Sequence, residues 1–347
     1  MANLTTGLMR FAGVALFLMA FGLVTQASAQ APAAFSRLGF GARGVAMGNA
    51  LAADSSASPY YNPALAPFAK KQSLTTSVGM LSLDRDLQFV QLATPLQRAG
   101  IAIGLTHATV SGIDGRNNDG FHTEDYKTSE FAGFLAFGLQ FGSRVTGGIG
   151  LQIFNSDLLE GLGSVTSVGV DLGFTVRLMD DLRIAFVLDD LLARFTWDSS
   201  DLFSSGGKST TDNFPRRVRL GASKLFYRDR LQVVAEYEAR FSTVETVVTA
   251  TRLLGDSPSQ SVRSESLTLR SDMFRAGAAF AATDFLDLYA GLDRTVGGAG
   301  GAFRPAAGFS VAQPIGALAT HFGYTYAAEP YGLGSAHYIS IRLFLEP

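Results

Sequence analysis

From about Gln72 to Pro347 apolar and polar residues alternate with a period of two, the pattern of strands whose two faces meet different surroundings. In the stretch Leu231 to Arg240, one face carries Leu231, Val233, Ala235, Tyr237 and Ala239 and the other Gln232, Val234, Glu236, Glu238 and Arg240. Leu286, Leu288, Ala290 and Leu292 stand in the same way against Asp287, Tyr289, Gly291 and Asp293, and Ile339, Ile341, Leu343 and Leu345 against Ser340, Arg342 and Phe344. A soluble sandwich has the same alternation, so the connections must decide. Strands read at 73–82, 86–95, 100–110, 130–141, 145–155, 164–178, 182–190, 216–226, 230–249, 266–281, 285–294, 303–312, 317–327 and 336–346. Between them, short turns such as Gln97-Arg98-Ala99 and Met179-Asp180-Asp181 alternate with longer polar or Gly-rich connections at 111–129, 156–163, 191–215, 251–265, 295–302 and 329–335. Only the first hairpin, around Leu83-Asp84-Arg85, is short where a long loop is due. Short periplasmic turns alternating with longer outer loops are the habit of outer-membrane barrels. The predicted fold is all-β: a transmembrane, antiparallel, up-and-down barrel of about fourteen strands over 72–347, with both ends in the periplasm.

Glycine recurs inside these strands, as in Gly147-Gly148-Ile149-Gly150 and Ala276-Gly277-Ala278. Glycine weakens a strand, so its repeated use predicts bends and the close approach of another backbone. Phe141, Phe154, Tyr227, Phe241, Tyr326 and Tyr338, near strand ends, read either as an interfacial aromatic girdle or as ordinary strand residues.

At the start of the chain Arg10 precedes an apolar run from Phe11 to Val24 and then Ala27-Ser28-Ala29. That run is about 14 residues where a spanning helix needs about 20, so residues 1–29 read as a secretory signal peptide cleaved near Ala29. The chain has no cysteine, which rules out a lipoprotein anchor, disulfides and thiolate chemistry. Although 47% of its residues are hydrophobic, no later run is long enough to cross a bilayer as a helix. The formal net charge of −2 argues against nucleic acid as a partner.

Residues 30–71 lack the alternation. The string Gly41-Ala42-Arg43-Gly44-Val45-Ala46-Met47-Gly48-Asn49, then Asp54, then Tyr61-Asn62-Pro63-Ala64, is dominated by small residues. Gly44 and Gly48 are spaced to let a short helix pack closely on another surface, and Asn62-Pro63 marks a turn or helix start. Directly ahead of a barrel, such a segment is expected to fold into the lumen as a hatch. On the barrel, Glu236, Glu238, Arg240, Asp287, Asp293 and Arg342 are the lumen-facing polar candidates, expected to pair with one another or with the hatch, Arg43 being a candidate partner.

The string from Leu38 to Asp54 followed by Tyr60-Tyr61-Asn62-Pro63-Ala64 resembles the N-terminal signature of the PorV/PorQ family, part of the wider FadL-like outer-membrane barrels. Asn213-Phe214-Pro215 followed by Arg217-Val218-Arg219-Leu220-Gly221-Ala222 is similar to the family's mid-barrel strand. The resemblance implies a 14-stranded barrel with an N-terminal hatch in the Gram-negative outer membrane, surrounded by its lipid. It also implies an accessory or shuttle role in type IX secretion, with the translocon and secreted cargo proteins as partners.

The alternative is a FadL-like channel for hydrophobic, fatty-acid-like molecules. Small and apolar inward positions at Ala132, Phe134, Ala136 and Gly138 support it, and it predicts a lateral opening where the first strands kink. Enzymatic and metal chemistry find little footing. Gly39-Phe40-Gly41-Ala42-Arg43-Gly44 fits a dinucleotide fingerprint but lacks a preceding strand, and Asp114 to Gly120 fails the calcium-loop register. His107, His122, His321 and His337 are scattered and no nucleophile motif accompanies them. No catalytic residue, metal or cofactor is expected.

Overall fold

The computed structural model describes residues 32–158, 163–200, 207, 209–254, 257–296, 302–316 and 318–345; the expected signal peptide and its cleavage point lie outside them. The strands are β1 (Gln72–Leu81), β2 (Arg85–Pro95), β3 (Ala99–Arg116), β4 (His122–Gln140), β5 (Val145–Asp157), β6 (Val165–Arg177), β7 (Leu182–Leu191), β8 (Arg194–Asp198), β9 (Ser209–Asn213), β10 (Arg216–Phe226), β11 (Leu231–Leu254), β12 (Ser257–Ala281), β13 (Leu286–Val296), β14 (Phe303–Ala312), β15 (Ala319–Ala328) and β16 (Ser335–Leu345). Fourteen of them form one closed antiparallel barrel in chain order, shut by pairing of β1 with β16, while β8 and β9 form a separate two-stranded sheet. Closure pairs every ladder and leaves no edge, so the barrel needs no disulfide to hold its ends.

Alternation becomes two surfaces. Ile101, Ile103 and Leu105 of β3, Leu135 and Phe137 of β4, and Ile149, Leu151 and Ile153 of β5 are exposed outward, while their neighbours Ala102, Phe134 and Ala136 are buried inward. Such an apolar outer band is stable against hydrocarbon and costly against water. Strand-end aromatics divide by parity. Phe141, Tyr227 and Tyr326 are exposed, as a girdle requires, but Phe154 and Tyr338 are fully buried in the interior, because nearness to a strand end does not fix the face.

Two expected loops prove to be extended hairpins. β3 and β4 run on to Arg116 and His122, and β11 and β12 continue their pairing out to Leu254 and Ser257. Serine, threonine and charged residues dominate these extensions. Beyond the bilayer no apolar face is needed, so the period-two signal fades while the ladder continues. The 191–215 connection also differs from a plain loop: β8 and β9 bring Phe195 and Phe214 into the interior against Phe154.

Residues 32–71 form a 3-10 turn at Ala34–Arg37, one short helix α1 (Ala42–Ala46) and a second 3-10 turn at Pro63–Phe68. They touch β2–β6 on one side and β13–β16 on the other, which places them across the lumen of a closed barrel. Glycine makes the approach possible. Gly100, Gly138, Gly148 and Gly173 stand opposite one another in register across β3, β4, β5 and β6. A Cβ on Gly138 would sit 2.6 Å from the Pro63 carbonyl oxygen, and one on Gly100, Gly148 or Gly173 would collide with Asn62–Ala66. On the far wall Gly277 and Gly291 are paired, and a Cβ on Gly277 would lie 2.7 Å from Met47 Cα. Gly48 itself has φ +63, a conformation that favours glycine, and abuts the Leu292 and Ala276 carbonyls. The expected close approach of a second backbone is thus met by two glycine stripes on opposite walls.

Gly138→Val is expected to overpack this contact at a cost of about 1–3 kcal/mol and release residues 32–71. Limited proteolysis should then cut the segment while the barrel stays intact. Gly142→Val, where a Cβ meets nothing within 4 Å, should leave the cleavage pattern unchanged.

Candidate functional site

All twelve singled-out N-terminal positions lie in the contact between segment and wall or in the knot that holds the segment together. The Gly41 and Ala42 N–H groups donate to Ser77 Oγ and Ser340 Oγ, each at 3.2 Å, and the Thr325 hydroxyl donates to the Ala42 carbonyl at 2.7 Å. The Tyr61 hydroxyl accepts from the Phe40 N–H at 3.2 Å and lies 3.1 Å from Asn49 Oδ1, passing so close to Gly44 that no side chain fits there. Asn62 caps the second 3-10 turn by accepting from the Ala64 N–H at 2.9 Å and donates to the Ala52 carbonyl at 2.8 Å, with Pro63 at the first turn position. Met47 and Gly48 rest on the Gly277–Gly291 stripe, and Ala64 on Gly148.

Arg43 was expected to meet the barrel carboxylates; instead it donates to Asp54 Oδ2 at 2.7 Å and to Gln232 Oε1 at 2.6 Å. The segment carries its own counterion, and Gln232 Nε2 completes the link by donating to Asp54 Oδ1 at 3.0 Å. Burial pushes the Asp54 carboxyl up, but Arg43 and the hydrogen bonds from Ser56 and Gln232 outweigh it and hold Asp54 below its ordinary 3.8.

The lumen has two unlike halves. Along β2–β4, Phe89, Ala93, Ala102, Phe134 and Ala136 form an apolar wall against which Phe40, Tyr60 and Tyr61 pack. Phe40 stacks on Phe89 with centroids 3.4 Å apart, and Tyr60 meets Phe40 and Phe134 edge-on at 4.5 and 5.4 Å. Across the lumen, β7 and β10–β13 carry a buried ionic network. Arg219 grips Asp189 with two bonds of 2.6 and 2.8 Å and donates to the Tyr61 carbonyl at 2.6 Å. Arg275 bridges Glu236 and Glu238 at 2.9 Å each and approaches Asp293 at 3.4 Å, while Arg240 pairs with Glu238 at 2.8 Å. Glu236 also accepts from the Ala52 N–H at 3.0 Å, tying the network to the segment.

Of the six polar candidates on the barrel, Glu236, Glu238, Arg240 and Asp293 belong to this network. Asp287 and Arg342 lie apart, the former accepting from the Tyr289 hydroxyl at 3.3 Å and the latter donating to Thr75 Oγ1 at 3.3 Å. Sequence reasoning missed Arg217, Arg219, Arg275, Asp189 and Asp190. Arg217 and Arg219 share one strand parity and could have been read as an inward cationic pair. Asp189 and Asp190 could not, since a regular strand sends neighbours to opposite faces. Here β7 bulges: the pairing steps from Val170–Leu191 to Leu172–Leu188, Asp190 takes φ 58, and both carboxylates are buried beside Arg217 and Arg219. Among the described residues no cluster of histidine and carboxylates could hold a metal ion; Asp114 is engaged by Arg116 and His122.

No protein-family model and no curated protein matches the sequence. Among solved structures, the CymD monoaromatic hydrocarbon channel is similar at TM-score 0.61 and 13% identity, over 89% of this chain and 98% of that one. The Pseudomonas putida toluene transporter TodX is similar at TM-score 0.57 and 14% identity, over 88% and 96%. A Pseudomonas aeruginosa FadL homologue is similar at TM-score 0.56 and 13% identity, over 88% and 97%. The fold is the one these channels share. The expected FadL-like architecture is therefore present, whereas the narrower PorV/PorQ resemblance stays with the N-terminal string. The first strands also correct an expectation: β1–β2 and β2–β3 pair without a register break, and the irregularity of β3 begins at Val110, level with the β1–β2 turn. The described residues place no opening between those strands.

Arg219→Met should leave Asp189 without its two-bonded partner, while Arg275 still holds Glu236, and cost about 3–5 kcal/mol in unfolding measurements in lipid, with Asp189→Leu added to it recovering part of the loss. The sign for Asp54 follows from its lowered value: its pairing contributes fully above about pH 4 and is lost as the pH falls further. Acid should accordingly loosen the segment to protease, and Asp54→Asn should loosen it already at neutral pH and flatten that acid response.

Proposed function

We propose that this chain is a channel of the Gram-negative outer membrane for small hydrophobic molecules, and that residues 30–71 act as its hatch. Export through a signal peptide removed near Ala29 would deliver it there. The observation that carries the reading is the aromatic and apolar half of the lumen, where Phe89 and Phe134 on the wall meet Phe40 and Tyr60 on the segment. A general aqueous pore has a polar, water-filled interior; this interior offers an apolar solute a surface to replace water, opposite a wall whose Arg217, Arg219, Arg240 and Arg275 are already paired with carboxylates. The hatch lies across that route, so passage requires it to shift. The relatives in fold named as hydrocarbon channels and a toluene transporter are consistent with this class of solute.

The reading is tested by reconstituting the protein in vesicles and following entry of toluene-sized aromatics and of fatty acids beside a sugar of similar mass. Entry of the apolar solutes alone, raised by Gly138→Val, is expected. Equal entry of the sugar would replace the reading with a general pore. Mild crosslinking in native membranes tests the other role: enrichment of a large translocon and of secreted proteins sharing one C-terminal domain would replace the channel with a type IX secretion accessory of PorV/PorQ type.

A further inference from the structure

Most luminal arginines meet a carboxylate, but among the described residues Arg183, which lies over the Phe68 ring, Arg304 and Arg342 have no ion pair, nor do the inward carboxylates Asp171 and Asp287. Arg217, Arg219, Arg240 and Arg275 each meet a carboxylate, and Arg43 meets Asp54. Arg342, on the inward face of β16 near the short-turn end, has no ion pair among the described residues; its Nε donates only to Thr75 Oγ1. The charged and titratable groups that act on it are Arg43 and its partner Asp54, and Tyr289; His321 and Asp287 lie nearby, Asp287 outside ion-pair distance and accepting from the Tyr289 hydroxyl. A partly buried guanidinium without a counterion is costly, and among the described residues no carboxylate lies within ion-pair distance of it.

Arg342 borders a cavity of about 80 Å³ between the segment, at residues 40–44, 51 and 56–61, and the wall of β1 and β13–β16. One water needs about 10–15 Å³ of such space, so the cavity has room for a group of about five to eight water-sized units. Its polar side has protons to give. Ser340 Oγ accepts from the Ala42 N–H and Thr75 Oγ1 accepts from Arg342, leaving both hydroxyl hydrogens available. Phe40, Ala42, Leu51 and Ala57 supply an apolar side, and Arg43, Ser58, Tyr61, Tyr289, Ser310 and His321 complete a mixed lining.

We propose that this cavity binds a small carboxylate whose charged end is taken by Arg342 and the Thr75 and Ser340 hydroxyls, and whose apolar body lies toward Phe40 and Leu51. A planar guanidinium fork suits a planar carboxylate, and of the two arginines that line this cavity Arg43 is held by Asp54 while Arg342 is left for one negative charge. Because the ligand touches both residues 40–44 and the wall, it holds the segment to the barrel. The site stands on its own geometry and does not depend on the channel reading.

The test uses the purified full-length protein in lipid nanodiscs at low chloride, with ligand-observed NMR titration of benzoate, acetate and the neutral isostere benzamide. Saturable benzoate binding is expected, with benzamide unbound and Arg342→Gln weakening benzoate by about tenfold or more. Benzoate bound more tightly than acetate supports a carboxylate with an apolar body, and acetate bound as tightly as benzoate would overturn that assignment. No saturable benzoate binding, equal binding of benzamide, or undiminished binding by Arg342→Gln would overturn it. Should Arg342→Gln fail to fold, Thr75→Val, which keeps the charge, is expected to weaken benzoate severalfold, and no change would overturn the proposal. Vesicle flux is read separately, so loss of the channel reading leaves this result standing.

Discussion

A backbone can lie flat against a β-sheet only where the sheet has no side chains to hold it off. Everything inside this barrel follows from that constraint. The Gly100–Gly138–Gly148–Gly173 stripe on one wall and the Gly277–Gly291 pair on the other let Asn62–Pro67 and Met47–Gly48 touch the strands directly. Each glycine weakens its own strand, but in a closed ladder that loss is spread over paired neighbours on both sides. With the backbone seated, segment N–H and C=O groups reach Ser77, Ser340, Thr325, Glu236 and Arg219, and the orphan polar groups of a short irregular chain are satisfied from the wall.

The two halves of the lumen hold the segment by different means. Stacking of Phe40 and Tyr60 on Phe89 and Phe134 is apolar and tolerant of small displacements, and an apolar solute could take the place of either ring. The ionic wall is directional. Arg219 meets Asp189, Glu236 and the Tyr61 carbonyl at once, so sliding the segment breaks a charge-assisted bond in a buried setting. Buried ion pairs add little net stability over an apolar core, and their value here lies in fixing one position of the segment. The β7 bulge belongs to the same device, since it turns Asp190 inward beside Asp189 to meet Arg217 and Arg37.

Most of this architecture was legible in the sequence. All fourteen barrel strands fall where period-two alternation placed them, because inside the bilayer each strand must show lipid and lumen different faces. Alternation lost its force where those faces became alike, in the polar extensions of β3–β4 and β11–β12 and in β8–β9, whose ladders run where no lipid demands an apolar side. In the site, the small-residue string from Gly41 to Ala64 announced close packing, and Glu236 and Glu238 announced an inward charge. Their partners stayed hidden for two reasons. Arg275 lies 39 residues from Glu236 and meets it only through the β11–β12 pairing, and Asp190 faces inward only because a bulge breaks the parity.

A segment seated across the lumen must move if apolar solutes are to pass, as proposed. Because the chain has no cysteine, a single engineered disulfide can test it cleanly. A Cβ on Gly221 would lie 3.1 Å from the Cβ of Ala52, close to the spacing a disulfide needs. The measurement is flux of an apolar aromatic into vesicles through the Ala52→Cys/Gly221→Cys protein, oxidised and then reduced. Oxidation is expected to stop flux and reduction to restore it; undiminished flux through the fully oxidised protein would overturn the proposed role of the segment.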